Sequence, residues 1–383
     1  MVSSRLMYSP VLTEYSFGPD HPMGPNRVLR SYELAEALGV LDRMLLTRPA
    51  PPDDDLLRLV HSDDYIAAVQ SGTPQALFGV GTADNPLFPR MHEIASQVSI
   101  ATVEAMQSVA SGDVDRAVNI SGGLHHAMPS GASGFCVYND AAIAIRKVQA
   151  DHPGIRIAYL DIDAHHGDGV QEVFWNDPSV LTISLHETPL HLFPGTGFAH
   201  EVGGRNAMGT AVNVALPATT GDADWLRAFD AIVPHVLEAF GPDLLVTQHG
   251  ADAHRRDPLT DLQLTLDGMA LSYRWIADLA EKYAGGKWVA LGGGGYAMPD
   301  VVPRAWAHLI ATVAGTPLDP TTPIPDVWRE PLGEAAPETM GEGQVPVFTS
   351  FDEGFDPASR LDQAIRATRR AVFPELGLDP TTM

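Results

Sequence analysis

The chain has 383 residues, with 24 Lys+Arg against 48 Asp+Glu and a formal net charge of −24. That balance excludes a nucleic-acid grip through a basic surface, and 45% hydrophobic residues exclude a disordered chain. The 35 Gly and 31 Pro follow no three-residue period, so the composition is that of a loop-rich globular protein and not of a fibrous one.

In chain order, the N-terminal stretch MVSSRLMYSPVLTEYSF lacks the basic-then-apolar pattern of a secretory signal, and the single Cys136 cannot form an internal disulfide. No apolar run reaches the roughly 18–20 residues needed to cross a bilayer. These features predict a cytoplasmic protein with no membrane partner. Apolar spacing predicts helices over Arg27–Leu38, Met91–Ser111 and Asp224–Phe240. Between and after them, short apolar runs predict strands at Ala117–Ile120, Ile157–Ile162, Val180–Leu185, Leu244–Thr247 and Trp288–Leu291. Such alternation, without an internal repeat, predicts an α/β fold: an open parallel sheet with helices on both faces. Residues 1–318 are expected to form one domain. Residues 319–383 are expected to form a tail; the stretch from about Thr316 to Phe348 is rich in Pro, Glu and Thr, and Pro357–Phe373 is expected to be an amphipathic docked helix.

In open parallel sheets ligands sit beyond the carboxyl ends of the strands. The runs ending at Ile120, Leu160, Thr247 and Leu291 are followed by SGGLHHAMPSGASGFC, DIDAHHGDG, QHGADAH and GGGGY. Four strand ends rich in His, Asp and Gly predict one shared site.

Asp161, Asp163 and His165 are spaced by two, so on an extended strand they project to one face. Carboxylates leaving an apolar strand need a compensating cation, and mixed Asp/His ligation suits a catalytic zinc or similar divalent ion. Asp252 is the best placed third ligand; the bland alternative is a polar turn at a strand end. The pairs His125–His126 and His165–His166 both follow apolar runs. A histidine beside a metal acts as general base or acid when a carboxylate holds its tautomer, and Asp161 and Asp168 are available for that. Gly292–Gly295 has neither the Lys-Ser/Thr of a phosphate loop nor a dinucleotide spacing, which argues against a nucleotide. The glycines leave room beside Tyr296, whose phenol can donate to an oxyanion; otherwise it is a packing residue.

The segments GGLHHAMPSGASGFCVYND, DIDAHHGDGVQEVFW, SLHETPLHLFPGTG, GADAHRRDPLTDLQLT and LGGGGYAMPDVVPRAW, with HPMGPNRV near the start, resemble the zinc-dependent histone deacetylase family. The resemblance runs in order over about residues 8 to 315 and is strongest to the bacterial acetoin-utilization branch. It implies an arginase/deacetylase-like domain with Zn2+, or Fe2+, held by Asp163, His165 and Asp252. His126 with Asp168 would be general base and acid, His125 with Asp161 an electrostatic aid, and Tyr296 the group polarising the acetyl carbonyl. Gly134, Phe135 and Phe193 would wall a tunnel for the lysine methylenes, and Asp84 would hold the substrate backbone. Arg27 would stand behind the site. A structural K+ would use Asp161, Asp163, His165, Ser184 and Leu185. The implied activity is hydrolysis of the acetyl amide of N6-acetyl-lysine in proteins, acyl-CoA synthetases among them.

An acetylpolyamine amidohydrolase would cleave the same bond, but no long insertion interrupts Ala67–Arg90. A binuclear manganese ureohydrolase needs an acid where Gly167 stands. A non-catalytic acyl-lysine binding protein would not need the whole histidine and tyrosine set. The sequence does not set the oligomeric state.

Overall fold

The computed structural model describes residues 2–381, apart from the side chains at 334 and 335. The first residue of the expected domain and the last two of the expected tail therefore lie outside the described residues.

Eight strands form the sheet: β1 (Ser4–Met7), β2 (Leu45–Thr47), β3 (Arg116–Asn119), β4 (Ile157–Asp161), β5 (Val180–Glu187), β6 (Ala211–Leu216), β7 (Leu244–Gln248) and β8 (Trp288–Leu291). They pair in the order β2-β1-β3-β8-β7-β4-β5-β6, and every pairing is parallel. This is the open, doubly covered sheet that the alternating pattern predicts. Side chains of β4 show why it is covered on both sides. Ala158 and Leu160 enter the core on one face, while Ile157 and Tyr159 enter the core on the other.

The first face carries the helices Asn26–Ala37, Asp222–Phe240, Leu266–Ala284 and Val301–Val313; the second carries Met91–Ala110 and Asp140–Asp151. Local signals place several of their starts. Asn139 and Thr265 accept from the N–H groups of Ala142 and Gly268 at the first turns of their helices. The helix Arg360–Val372, within the predicted amphipathic segment, packs on β6, where Thr368 Oγ1 donates to Asn213 O at 2.6 Å. That helix shields one sheet edge from pairing with another chain, whereas Leu45 and Leu46 of the opposite edge strand are exposed.

What positions the site is the middle of the sheet. β3, β8, β7 and β4 are consecutive neighbours, and Asn119, Leu291, Gln248 and Asp161 end them in one aligned row. The four motif-bearing loops therefore leave the sheet side by side. β4 stops at Asp161, however, so Asp163 and His165 are not on a strand. The same-face spacing expected for them is replaced by two tight turns, in which Asp163 N donates to Asp161 Oδ1 at 3.2 Å and His165 N to Asp163 Oδ1 at 3.0 Å. Short aspartate side chains compete for their own downstream N–H groups and end the strand.

Candidate active site

Beyond the β3 end, Gly123 N and Leu124 N donate to the buried carboxylate of Asp140, the longest of these bonds being 3.1 Å. This fixes the approach to His125 and His126, which are both buried. His125 Nδ1 donates to Asp161 Oδ2 at 2.7 Å, and His126 Nδ1 to Asp168 Oδ1 at 2.7 Å. Each imidazole thus keeps its other nitrogen free of its carboxylate partner. Burial, with the neighbouring His125 and His165, holds His126 well below the ordinary histidine range. Burial also disfavours the charged form of His125, but Asp161 and Asp163 outweigh it and carry His125 up to about 9. The two adjacent histidines are therefore driven in opposite directions.

Asp163, His165 and Asp252 form a group whose ligand atoms all lie within 4.8 Å of one another, the arrangement a metal ion requires. His165 Nδ1 stands 3.1 Å from both Asp163 Oδ1 and Asp252 Oδ2. The remaining carboxylate oxygens are already held. Gln248 Nε2 and Gly294 N each donate to Asp163 Oδ2 at 2.8 Å, and Ala164 N donates to Asp252 Oδ1 at 2.9 Å. Burial and the nearby Asp163 push Asp252 up to about 7. Two dry carboxylates this close do not both ionise unless a cation lies between them, so the donor set fits a divalent ion. The glycine run explains how they come so close: a Cβ on Gly294 would strike the Asp252 carboxylate, and one on Gly250 would strike that of Asp163. The space the glycines provide is filled by ligand side chains as well as by open pocket.

These groups open into a cavity of 270 Å³ lined by Asp163, His165, His125, His126, Tyr296 and the aromatic rings of Phe135 and Phe193, among others. Phe193 is 45% exposed at the mouth, with its ring 4.9 Å from that of His126. Phe135 stands 5.8 Å from the Tyr296 ring. Gly134, at φ 52°, passes so close to His126 that a Cβ there would clash with the imidazole. Burial raises the Tyr296 phenol well above its ordinary value, with Arg27 opposing and Asp252 and Asp163 reinforcing, so it stays a hydrogen-bond donor. Asp84 is exposed at the rim and accepts from Gly134 N at 2.8 Å. Arg27 is buried behind Tyr296, its guanidinium 5.2 Å from the ring and bonded to the Gly293 and Gly295 carbonyls. Ser184 is the register partner of Asp161 across β4 and β5, and Leu185 follows it; both are buried.

Residues 21–313 match the histone deacetylase domain model. The chain belongs to the histone deacetylase family. It is 42% identical over 335 residues to the acetoin utilization protein AcuC of Bacillus subtilis, covering 86% of each chain. To AcuC of Staphylococcus xylosus it is 35% identical over 329 residues, covering 84% of this chain and 85% of that one. A crystal structure of a histone deacetylase homologue complexed with SAHA superposes with TM-score 0.84 at 27% identity, over 96% of this chain and 100% of that one. A homologue from Aquifex aeolicus superposes with TM-score 0.83 at 27% identity and the same coverage. The chain is a deacetylase hydrolase on the arginase/deacetylase fold, and the family is metal-dependent. Among the described residues no helix is long and apolar enough to cross a membrane.

Several members of the site carry no signal that spacing alone discloses. Gln248 holds Asp163, and Tyr159 Oη donates to Asp161 Oδ2 at 2.8 Å. Met23, Leu192 and Leu259 reach the cavity from loops distant in sequence. Asp257 follows Asp252 by five residues in GADAHRRDP, but its target, Tyr296 N at 2.7 Å, lies on another loop. His249, immediately after β7, is fully buried, its ring 5.0 Å from that of Tyr273.

Proposed function

We propose that this deacetylase hydrolyses the acetyl amide of N6-acetyl-lysine in protein substrates, releasing acetate and the free lysine amine. The observation that carries the reading is the convergence of two histidine–carboxylate pairs and a protonated phenol on one narrow cavity floored by Asp163, His165 and Asp252. Those three residues would hold Zn2+, with Fe2+ as the other ion of suitable chemistry. When bound, such an ion polarises a carbonyl and brings the pKa of a coordinated water to about 7.

The chain's own residues then account for the proton traffic. His126, oriented by Asp168, takes a proton from the attacking water and returns it to the leaving nitrogen as the C–N bond breaks. His125, oriented by Asp161, acts through its charge. Tyr296 donates to the carbonyl oxygen as it becomes an oxyanion. Phe135, Phe193 and Gly134 form the tunnel that admits the lysine methylenes and keeps water out, and Asp84 holds the substrate backbone at the rim. Asp161, Asp163, His165, Ser184 and Leu185 would bind a structural K+ under the site, a role the pairing of Asp161 with Ser184 supports. Residues 1–318 form the catalytic domain in this reading and 319–383 an attached tail; the protein is cytoplasmic, with acyl-CoA synthetases among its targets.

The test is turnover of an acetyl-lysine peptide beside N-acetylspermidine. Faster release of acetate from the peptide is expected. Preference for the polyamine would overturn the protein-substrate assignment, and zinc binding without turnover of either would overturn catalysis.

A further inference from the structure

The family-matched region ends at residue 313, yet the chain beyond it reaches back to the ligand loop. Residues 339–344 lie against the loop that leaves β7 and against the start of the helix Leu266–Ala284. Asp267 Oδ2 accepts from Glu342 N at 3.0 Å and from Gln344 N at 2.8 Å. Arg304 Nη1 donates to the carbonyls of Thr339 and Gly341, both at 3.1 Å, and Met340 is fully buried in the core.

Held in this way, Glu342 turns a side chain that is only 9% exposed toward His254. Its Oε2 accepts from His254 Nε2 at 3.1 Å and from Leu266 N at 3.3 Å, and lies 3.3 Å from Arg255 Nη2. The other His254 nitrogen, Nδ1, accepts from Arg256 N at 3.2 Å, which fixes the tautomer that donates to Glu342. His254 is fully buried, two residues after Asp252, and its carbonyl accepts from Asp257 N at 2.8 Å. Asp257 in turn accepts from Tyr296 N. A continuous set of hydrogen bonds therefore joins Glu342 to the loop carrying Asp252 and to the loop carrying Tyr296.

We propose that Glu342 is a positioning residue for the active site, acting from the tail through His254 on Asp252, Asp257 and Tyr296. The inference rests on the ligand and phenol assignments made above. It makes the tail part of the catalytic unit, because removing Glu342 leaves a buried imidazole N–H without its acceptor at the base of the ligand loop.

The test measures Zn2+ affinity by competition with a chelator, alongside kcat and KM for an acetyl-lysine peptide. Glu342→Ala is expected to weaken Zn2+ binding and lower kcat by about 10-fold each, the low end of the range for groups that support a ligand, with KM unchanged. Glu342→Gln still offers an oxygen to His254 Nε2 and is expected to recover most of both. Asp362→Ala loosens the same tail at its remote contact with Arg227 and is expected to lower the melting temperature alone. If Glu342→Ala lowers the melting temperature but keeps wild-type Zn2+ affinity and kcat, or if Asp362→Ala matches its kinetic loss, the positioning role is overturned. Asp252→Ala separates the two failures: wild-type Zn2+ affinity in that variant overturns the ligand assignment itself.

Discussion

The backbone N–H of Tyr296 donates to Asp257 Oδ2 at 2.7 Å, so the phenol facing the cavity is aimed by a carboxylate from the loop that bears Asp252. The glycine run before Tyr296 is tied by Arg27 at the Gly293 and Gly295 carbonyls and by Gly294 N at Asp163, and Asp257 is the acceptor that holds the Tyr296 N–H at its end. Asp257→Ala is expected to lower kcat by about 10²-fold, the effect of a misplacement near 1 Å, with a much smaller change in KM. Steady-state kinetics on an acetyl-lysine peptide checks this, and an unchanged kcat would detach Asp257 from the phenol.

Tyr296 itself separates catalysis from packing. Replacement by phenylalanine preserves the ring and removes the donor, so kcat should fall by about 10² to 10³-fold while Zn2+ content and substrate affinity stay near wild type. Wild-type kcat with zinc bound would make the tyrosine structural.

Asp163→Ala, His165→Ala and Asp252→Ala should each lose bound metal and activity, because three protein ligands leave no spare donor. Prolonged dialysis against a strong chelator should abolish wild-type activity, and added Zn2+ should restore it. Elemental analysis of each variant is the check; full occupancy would remove that residue from the ligand set.

Phe135 holds a left-handed backbone conformation, φ 67°, that non-glycine residues adopt at a cost of ~1 kcal/mol or more. Tyr15 pins it there: its hydroxyl donates to Phe135 O at 2.9 Å and accepts from Val137 N at 3.0 Å. Tyr15→Phe frees this wall of the tunnel. KM for an acetyl-lysine peptide should rise by about fivefold, equivalent to one ordinary hydrogen bond, with kcat little altered. A raised kcat defect with normal KM would place Tyr15 elsewhere in the cycle.

Burial alone would raise the Glu342 carboxyl, but the His254 hydrogen bond and the Arg255 charge oppose it, and the carboxyl comes from 4.5 down to about 2. A carboxyl whose pKa is depressed by folding stabilises the folded state above its unfolded value, and the contribution disappears as pH falls through the folded value. The melting temperature of wild type should therefore exceed that of Glu342→Gln near neutral pH, with the gap narrowing from about pH 4.5 toward pH 2. Thermal melts at pH 7, 5 and 3 test the sign. A gap that widens on acidification would show that Glu342 is not held as an anion.

Much of this protein is legible in one dimension. Apolar runs of strand length and helix-length periodicities are local properties, and β3, β4, β5, β7 and β8 lie where those runs do because both faces of a parallel sheet demand apolar side chains. The clusters after four of those runs name the chemistry, since paired carboxylates and histidines have few other reasons to follow buried strands. The sheet order is not local. Only the crossovers place β3, β8, β7 and β4 side by side, and only that adjacency turns four separate motifs into one cavity. The same distinction explains Asp163 and His165: a spacing of two suggests an extended strand, whereas the structure forms tight turns because each aspartate captures an N–H two residues on. Gln248 and Asp257 acquire their roles from partners on other loops, and Glu342 acquires its contact with His254 from a tail packed against the domain. The sequence by itself determined which residues could do the chemistry. Tertiary structure decided which of them meet, because hydrogen bonds and packing act through space between positions that no local pattern connects.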